Sequence, residues 1–346
     1  MTAVDVHAME QSARDALAWS NDTLLPALRA AVNALPSSMR LIAGYHFGWW
    51  DEHGRPAAAD GGKAFRPALV LLSAKATGGA PASAVPAAVA VELVHNFSLL
   101  HDDVMDRDVV RRHRPTAWTV FGSNAAILAG DALLTSAFDT LAASGHPAAT
   151  EGIRMLSTAV LDLIHGQSAD LAFEQREDVD LPECVRMTHG KTAALLGCTC
   201  ALGTVFGGGS PEQVTLLRGF GEHLGLAFQH VDDLLGIWGD PAVTGKPVYS
   251  DLRNRKKSLP VVAALVSGTA AGRELASLYH RDRPLSDADL VRAAALIDTA
   301  GGRAWSRRQA DDLLAEALDQ LRLAAPAAED TVELRALARL ATRRDH

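Results

Sequence analysis

The run His101-Asp102-Asp103-Val104-Met105-Asp106 closes a strongly apolar segment, Val91 to Leu100, and Arg111-Arg112-His113-Arg114 follows close behind. On a helix Asp102 and Asp106 stand one above the other, because residues four apart share a face. Stacked carboxylates repel unless a cation lies between them. Two hard oxygen donors with room for water and phosphate suit Mg²⁺ rather than zinc. Asp103 points about 100° away around the helix, which makes it a support rather than a ligand. Arg111 and Arg112 can grip phosphate oxygens in bidentate fashion. An acidic triplet on a helix is most often a solvated face. Here it ends an apolar segment, and a second pair, Asp232-Asp233 in Phe228-Gln229-His230-Val231-Asp232-Asp233, ends another. Two such helix ends brought together in a bundle could hold several metal ions on one diphosphate.

Cations stand near these acids in sequence. Gly61-Gly62-Lys63-Ala64-Phe65-Arg66-Pro67 puts Lys63 and Arg66 at an expected helix start, where unpaired N–H groups add to anion affinity. His95 lies seven residues before Asp102, on the same face about two turns away. Gly190-Lys191-Thr192 interrupts a helix of small and apolar residues and offers an ammonium and a hydroxyl to phosphate oxygens. Lys246, then Asp251 with Lys256, Lys257 and Ser258, place charge beside the second acidic pair.

These groups must be carried by helices. The chain of 346 residues is 48% hydrophobic but only 5% aromatic, rich in Ala and Leu, with few β-branched runs. Periodicity and Gly/Pro punctuation predict helices over about 8–34, 37–46, 63–77, 85–106, 119–143, 150–175, 182–206, 212–237, 250–268, 271–280, 286–299, 301–324 and 330–343. The expected fold class is all-α, one large helical bundle spanning residues 1–346, with 1–35 as an N-terminal helical segment open to a peripheral role. A formal net charge of −8 without a long basic run argues against a nucleic-acid partner. No uninterrupted apolar run reaches about 18 residues, so no membrane span is expected, and the N-terminus lacks a signal-peptide pattern. Cys184, Cys198 and Cys200 have no pairing or zinc spacing and read as reduced thiols of a cytoplasmic protein.

Taken together, the motifs resemble those of the trans-isoprenyl diphosphate synthases, or polyprenyl synthetases, over about residues 40–345. Asp102-Asp103-Val104-Met105-Asp106 with Arg111-Arg112 is similar to the family's first aspartate-rich motif, and Gly62 to Pro67 to its GKxxRP motif. Phe228 to Asp233 is similar to the second motif, with Lys256 as its trailing lysine; Leu234 to Pro241 resembles the actinobacterial branch. The resemblance implies the isoprenoid synthase type I fold, a cytoplasmic homodimer, and three Mg²⁺ held on an allylic diphosphate by Asp102, Asp106 and Asp232. It implies that Arg111, Lys191 and Lys256 hold that diphosphate, with Thr192, Gln229 and Lys246 around it. Lys63, Arg66, His95 and Arg112 would bind isopentenyl diphosphate. The reaction implied is ionisation, condensation and elimination, in a cavity that keeps water from the allylic cation.

Two positions depart from the family pattern. Gly236 stands where a third aspartate is common, and His113 where a glycine is common; neither removes a group the reaction needs. Asp240 could replace the lost carboxylate only if the helix ran on through Gly236 and Gly239. Below Asp102, Ser98 leaves the product channel open and Phe97 caps it further down. An aromatic five before the first aspartate with a small residue at four resembles geranylgeranyl (C20) synthases, with farnesyl (C15) as the alternative. A class I terpene cyclase should carry a different second metal motif, and a non-catalytic partner subunit should have lost metal aspartates.

Overall fold

The computed structural model describes residues 3–57, 62, 64–240, 248–281 and 283–342. Its helices are α1 (Ala3–Asn33), α2 (Ser37–His46), α3 (Phe65–Ala76), α4 (Val85–Met105), α5 (Ala117–Phe121), α6 (Ser123–Ala143), α7 (Ala149–Glu174) and α8 (Leu181–Thr188). They continue with α9 (Ala194–Phe206), α10 (Pro211–Trp238), α11 (Ser250–Arg253), α12 (Leu259–Leu265), α13 (Ala270–Tyr279), α14 (Asp287–Thr299), α15 (Gly302–Ala324) and α16 (Val332–Thr342). Among the described residues one hairpin of two-residue strands, β1 (Val110–Arg111) against β2 (Arg114–Pro115), stands outside this all-α pattern, beside an isolated Trp50–Pro56 bridge. The chain divides into two compact units. One holds residues 1–157, 198–217 and 324–337; the other holds 158–197, 218–323 and 338–346.

In the first unit α4 is the central element and packs against α6, α3 and α1. Ala87, Ala88, Val89, Ala90, Val91, Leu93 and Val94 are buried around the whole helix, as expected of a core helix rather than an amphipathic one. Each fully buried leucine here, such as Leu93 or Leu100, contributes about 1.5–3 kcal/mol. Helix α1 adds a stripe at Ala13, Ala16, Ser20, Leu24, Leu28 and Val32, all buried at three- and four-residue spacing. In the second unit α12 packs against α8, α13 and α14, over a core of Ile237, Leu252, Val261, Leu275 and Leu296.

Several expected elements change in detail. The helix foreseen over 119–143 breaks at Gly122, whose φ of 89° ends α5 and opens α6. The one foreseen over 250–268 stops at Arg253: Arg255 takes a φ of 51°, and Ser258 with Pro260 starts α12 afresh. The GKxxRP segment also shifts. Ala64, at φ 46°, precedes a helix that begins at Phe65, so Arg66 lies in the first turn, and Lys63 falls outside the described residues. Among the described residues two helical stretches, Pro81–Met105 and Ser123–Ala143, are long and apolar enough to cross a membrane by length and composition. The apolar window of the first is 72% buried inside the protein, that of the second 33%.

Candidate active site

In the first unit the acidic turn and a cationic pocket share α4. Asp102 is half-buried and Asp106, at the C-cap, is exposed. Asp103 is 1% exposed and accepts from Arg111 Nε at 2.7 Å, so it supports the turn as its helix position predicts. Burial pushes its carboxyl up to about 6, against the pull of Arg111. Asp103 thus ties the hairpin to the helix end, and the Asp108 N–H donates to the Asp103 carbonyl at 3.0 Å.

The hairpin turn is Arg112-His113, with φ of 50° and 60°, the left-handed pair that a two-residue turn of this kind requires. Glycine is free there and histidine is not. His113→Gly should therefore raise stability by about 1 kcal/mol, read as a higher unfolding midpoint with unchanged activity. Arg114, which sequence reasoning did not single out, anchors the hairpin. Its guanidinium donates to the Tyr45 and Trp50 carbonyls at 3.0 and 3.2 Å and lies 4.3 Å from the Tyr45 ring.

Behind the acidic turn Arg66 Nη1 donates to His95 Nε2 at 3.1 Å, which leaves the His95 proton on Nδ1. Arg66 Nε is buried without a hydrogen-bond partner, as is His46 Nε2. Gly62 has a φ of 94°, and a Cβ there would come within 2.8 Å of Arg112 Nη2, so the glycine leaves room for that guanidinium. Burial, with Arg112 nearby, lowers Arg66 to about 10 even though Glu92 opposes the shift. Burial, with Arg66, Arg112 and Arg111, holds His95 well below its ordinary value; burial, with Arg112 and Arg111, brings His46 to about 3. The pocket thus gathers Arg66 and Arg112, two neutral histidines and a buried Arg66 Nε–H without a partner.

Lower on α4, Phe97 and Ser98 are 5% and 8% exposed. The Ser98 hydroxyl donates to the His95 carbonyl at 2.8 Å, so it is absorbed by its own helix. The Phe97 ring packs edge-on against His101 at 4.7 Å. His101 in turn occupies the space a side chain at Gly130 would need, which lets α6 approach α4 closely.

The second unit carries the other expected residues. Asp232 is exposed at the end of α10, while Asp233 is 2% exposed and points inward. Between α8 and α9 the segment His189–Ala193 widens into a π-turn, a distortion that re-aims side chains. Gly190 packs on the Asp162 carbonyl, and a Cβ at Gly166 would fall on the Lys191 backbone. That close crossing brings Lys191 Nζ to 2.6 Å from Asp170. Asp170 was not foreseen; its only signal is a carboxylate in the otherwise uncharged stretch Ile164 to Phe173 of α7. Thr192 Oγ1 donates to Gln229 Oε1 at 2.9 Å.

Lys256 and Lys257 separate cleanly. Lys257 is 6% exposed and its Nζ turns to the Phe173 carbonyl at 3.5 Å, a structural role. Burial works against the Lys256 charge, but Asp251, Asp233, Asp170 and Asp232 outweigh it and hold Lys256 protonated. Burial also pushes Asp233 up to about 7, opposed chiefly by Lys256. The absent third aspartate has a physical reason. A Cβ at Gly236 would fall on the Asp251 carboxylate, so Asp251 already occupies that space. Asp240 lies beyond α10, as the glycines there predict, and Lys246 lies outside the described residues. Among the described residues no three His, Cys, Asp or Glu side chains form a ready metal cage. All three cysteines are buried and unpaired with one another.

The polyprenyl synthetase family matches this chain over residues 49–297. The (2E,6E)-farnesyl diphosphate synthase of Mycobacterium tuberculosis is 46% identical over 320 residues, covering 92% of this chain and 89% of that protein. The geranylgeranyl diphosphate synthase of the same organism is 46% identical over 321 residues, covering 92% and 91%. The crystal structure of a polyprenyl synthetase from Streptomyces coelicolor superposes with a TM-score of 0.90 at 47% identity, over 95% of this chain and 99% of that one.

Proposed function

Because the chain belongs to the polyprenyl synthetase family, we propose that it joins isopentenyl diphosphate head to tail to an allylic diphosphate and stops mainly at geranylgeranyl diphosphate. The observation that carries this reading is the arrangement on α4: a carboxylate turn at its end, and behind it the Arg66–His95 pair with an unpartnered buried Arg66 Nε. Arg66, His95 and Arg112, with Lys63, bind the diphosphate of isopentenyl diphosphate. Lys191, Lys256 and Arg111 hold the allylic diphosphate, with Thr192, Gln229 and Lys246 around it.

Asp102, Asp106 and Asp232 fit Mg²⁺ by donor chemistry: hard oxygens, few per ion, with solvent access for water and phosphate. Three such ions, when bound with substrate, neutralise charge on the leaving diphosphate. The allylic C–O bond breaks with its electron pair going to the diphosphate. The isopentenyl double bond then attacks the cation, and the departing diphosphate takes the proton. Lys191 and Lys256 stabilise the negative charge that develops in the first step; Lys191 lies 2.6 Å from Asp170, and the surrounding aspartates hold Lys256 cationic against its burial.

The family match runs through residues of both compact units, which supports one catalytic domain over 1–346. On α6, Ile127 and Leu128 are 37% and 54% exposed on a helix whose apolar window is only one-third buried. A second copy of the chain covers this face in a cytoplasmic homodimer with no membrane span.

The test is incubation with Mg²⁺, isopentenyl diphosphate and dimethylallyl, geranyl or farnesyl diphosphate, reading alcohols after phosphatase treatment. A dominant C20 alcohol is expected. C15 would keep the chemistry and reject the chain length; no elongation from any primer would reject the reading. Ser98→Phe, one turn below Asp102 on α4, should shorten the main product to C15. Unchanged product length would remove Ser98 from the channel.

A further inference from the structure

Helix α1 does more than pack through its buried stripe. Beside the N-terminal end of that stripe, Ala8, Ser12 and Ala16 share a face at four-residue spacing. Side chains this small leave room in front of them. The result is a cleft of about 670 Å³, walled on the other sides by Leu72 and Lys75 of α3 and by Glu333 in the first turn of α16. That volume is in the range of small-molecule sites. Lys75 is in the last turn of α3 and Arg66 in its first, roughly 13 Å apart along the helix axis. The cleft is therefore separate from the acidic turn and its cations.

The charges lining the cleft do not cancel. Asp15 and Glu333 bring two carboxylates, and Lys75 brings one ammonium. That ammonium is already engaged, since Lys75 Nζ donates to Glu333 Oε1 at 2.7 Å. Glu333 Oε2 is buried without a hydrogen-bond partner, so half of this carboxylate is unsatisfied. Gln11 Nε2 donates to Asp15 Oδ1 at 2.8 Å, which fixes the amide and turns its oxygen outward as an acceptor. Trp19, 39% exposed, adds an apolar ring whose face attracts cations. With Leu72 and the alanines, the remaining wall is hydrocarbon.

We propose that this cleft is a second ligand site, which takes an aliphatic amine. The ammonium pairs with Glu333 and Asp15, and the methylene chain lies on Trp19 and Leu72. An anionic ligand would meet the same two carboxylates and be repelled. The site does not depend on the prenyl-transfer reading above.

Calorimetric titration of the full chain with diaminooctane at low ionic strength tests this. Suberate, a dicarboxylate of like length, is the charge-reversed control. Saturable binding of the diamine is expected, with suberate weaker by about tenfold or more. Glu333→Gln should weaken the diamine about tenfold, the loss of one charged hydrogen bond. Asp15→Asn, at a more exposed carboxylate, should cost a few-fold. Lys75→Gln acts in the opposite sense: it removes the competing cation and should tighten binding, which a merely damaged pocket cannot do. Ser12→Phe fills the cleft and should abolish binding. Unfolding midpoints and prenyl transfer close to those of the wild type identify the variants as folded. The proposal is overturned by suberate binding as tightly as the diamine, or by no saturable binding of the diamine. Undiminished binding in folded Ser12→Phe, or weaker binding in folded Lys75→Gln, overturns it equally.

Discussion

Asp102→Ala lowers turnover by about 10³-fold or more while leaving the unfolding midpoint nearly unchanged, and Asp103→Ala chiefly lowers the midpoint, with a smaller loss of turnover through Arg111. The two aspartates are neighbours in sequence but face different surroundings. Asp102 is half-buried on the turn it shares with Asp106, where a carboxylate can act on a cation and a diphosphate. Asp103 is 1% exposed and bonded to Arg111 at 2.7 Å. Its carboxyl sits near 6, so the ion pair is no net gain over a neutral side chain; breaking it is what costs. Removing one partner of a buried pair costs about 3–5 kcal/mol, and about 2–3 is expected here because Arg111 keeps some solvent. Asp232→Ala should match Asp102→Ala, since its carboxylate is exposed near the end of α10, where it can act on a cation and a diphosphate. Diphosphate release with Mg²⁺ present, together with thermal melts, checks all three. Equal effects of Asp102→Ala and Asp103→Ala on both readouts would sink the division of roles.

The separation of Asp102 from Asp103 was legible in the sequence because helical geometry alone places them on different faces. Most helices were legible for the same reason: α4 and α10 are long, apolar and ended by charges. The hairpin was not, since two-residue strands have too few side chains to show alternation, and its left-handed turn is made by arginine and histidine rather than glycine. The break at Arg255 was hidden likewise, in a basic run without Gly. Within the site, Lys191 and Gln229 were visible as residues but their partners were not. The Lys191–Asp170 pair joins two helices across a glycine crossing that no local pattern reports. Gly236 read as a loss from sequence. In three dimensions Asp251 explains it, a compensation between residues on separate helices.

Acid should loosen the first unit. His46 is brought to about 3, first by burial and then by Arg112 and Arg111, whereas in the unfolded chain it titrates near 6.5. The unfolded chain therefore binds the proton that the fold refuses. Stability is fully present above about pH 6.5 and is lost as pH falls toward 3, at a cost of about 3 kcal/mol by pH 4 from His46 alone. His95 acts in the same direction. Asp103 opposes them: its value near 6 means the fold takes up a proton first and gains stability as pH drops from 6 to the usual carboxylate range. A difference measurement isolates the histidine. Hydrogen exchange of α2 and α4 between pH 7 and 4 should steepen in the wild type and flatten in His46→Asn, by about the 3 kcal/mol assigned to that ring. Identical pH slopes in the two proteins would reject a neutral, buried His46. Inorganic diphosphate gives the functional arm of the same argument. An anion among Arg66, Arg112, His46 and His95 opposes the arginine repulsion that adds to burial in keeping the histidines neutral. It should therefore reduce the acid loss in the wild type, and do so less in Arg66→Gln, where one of the cations drawing it in is gone.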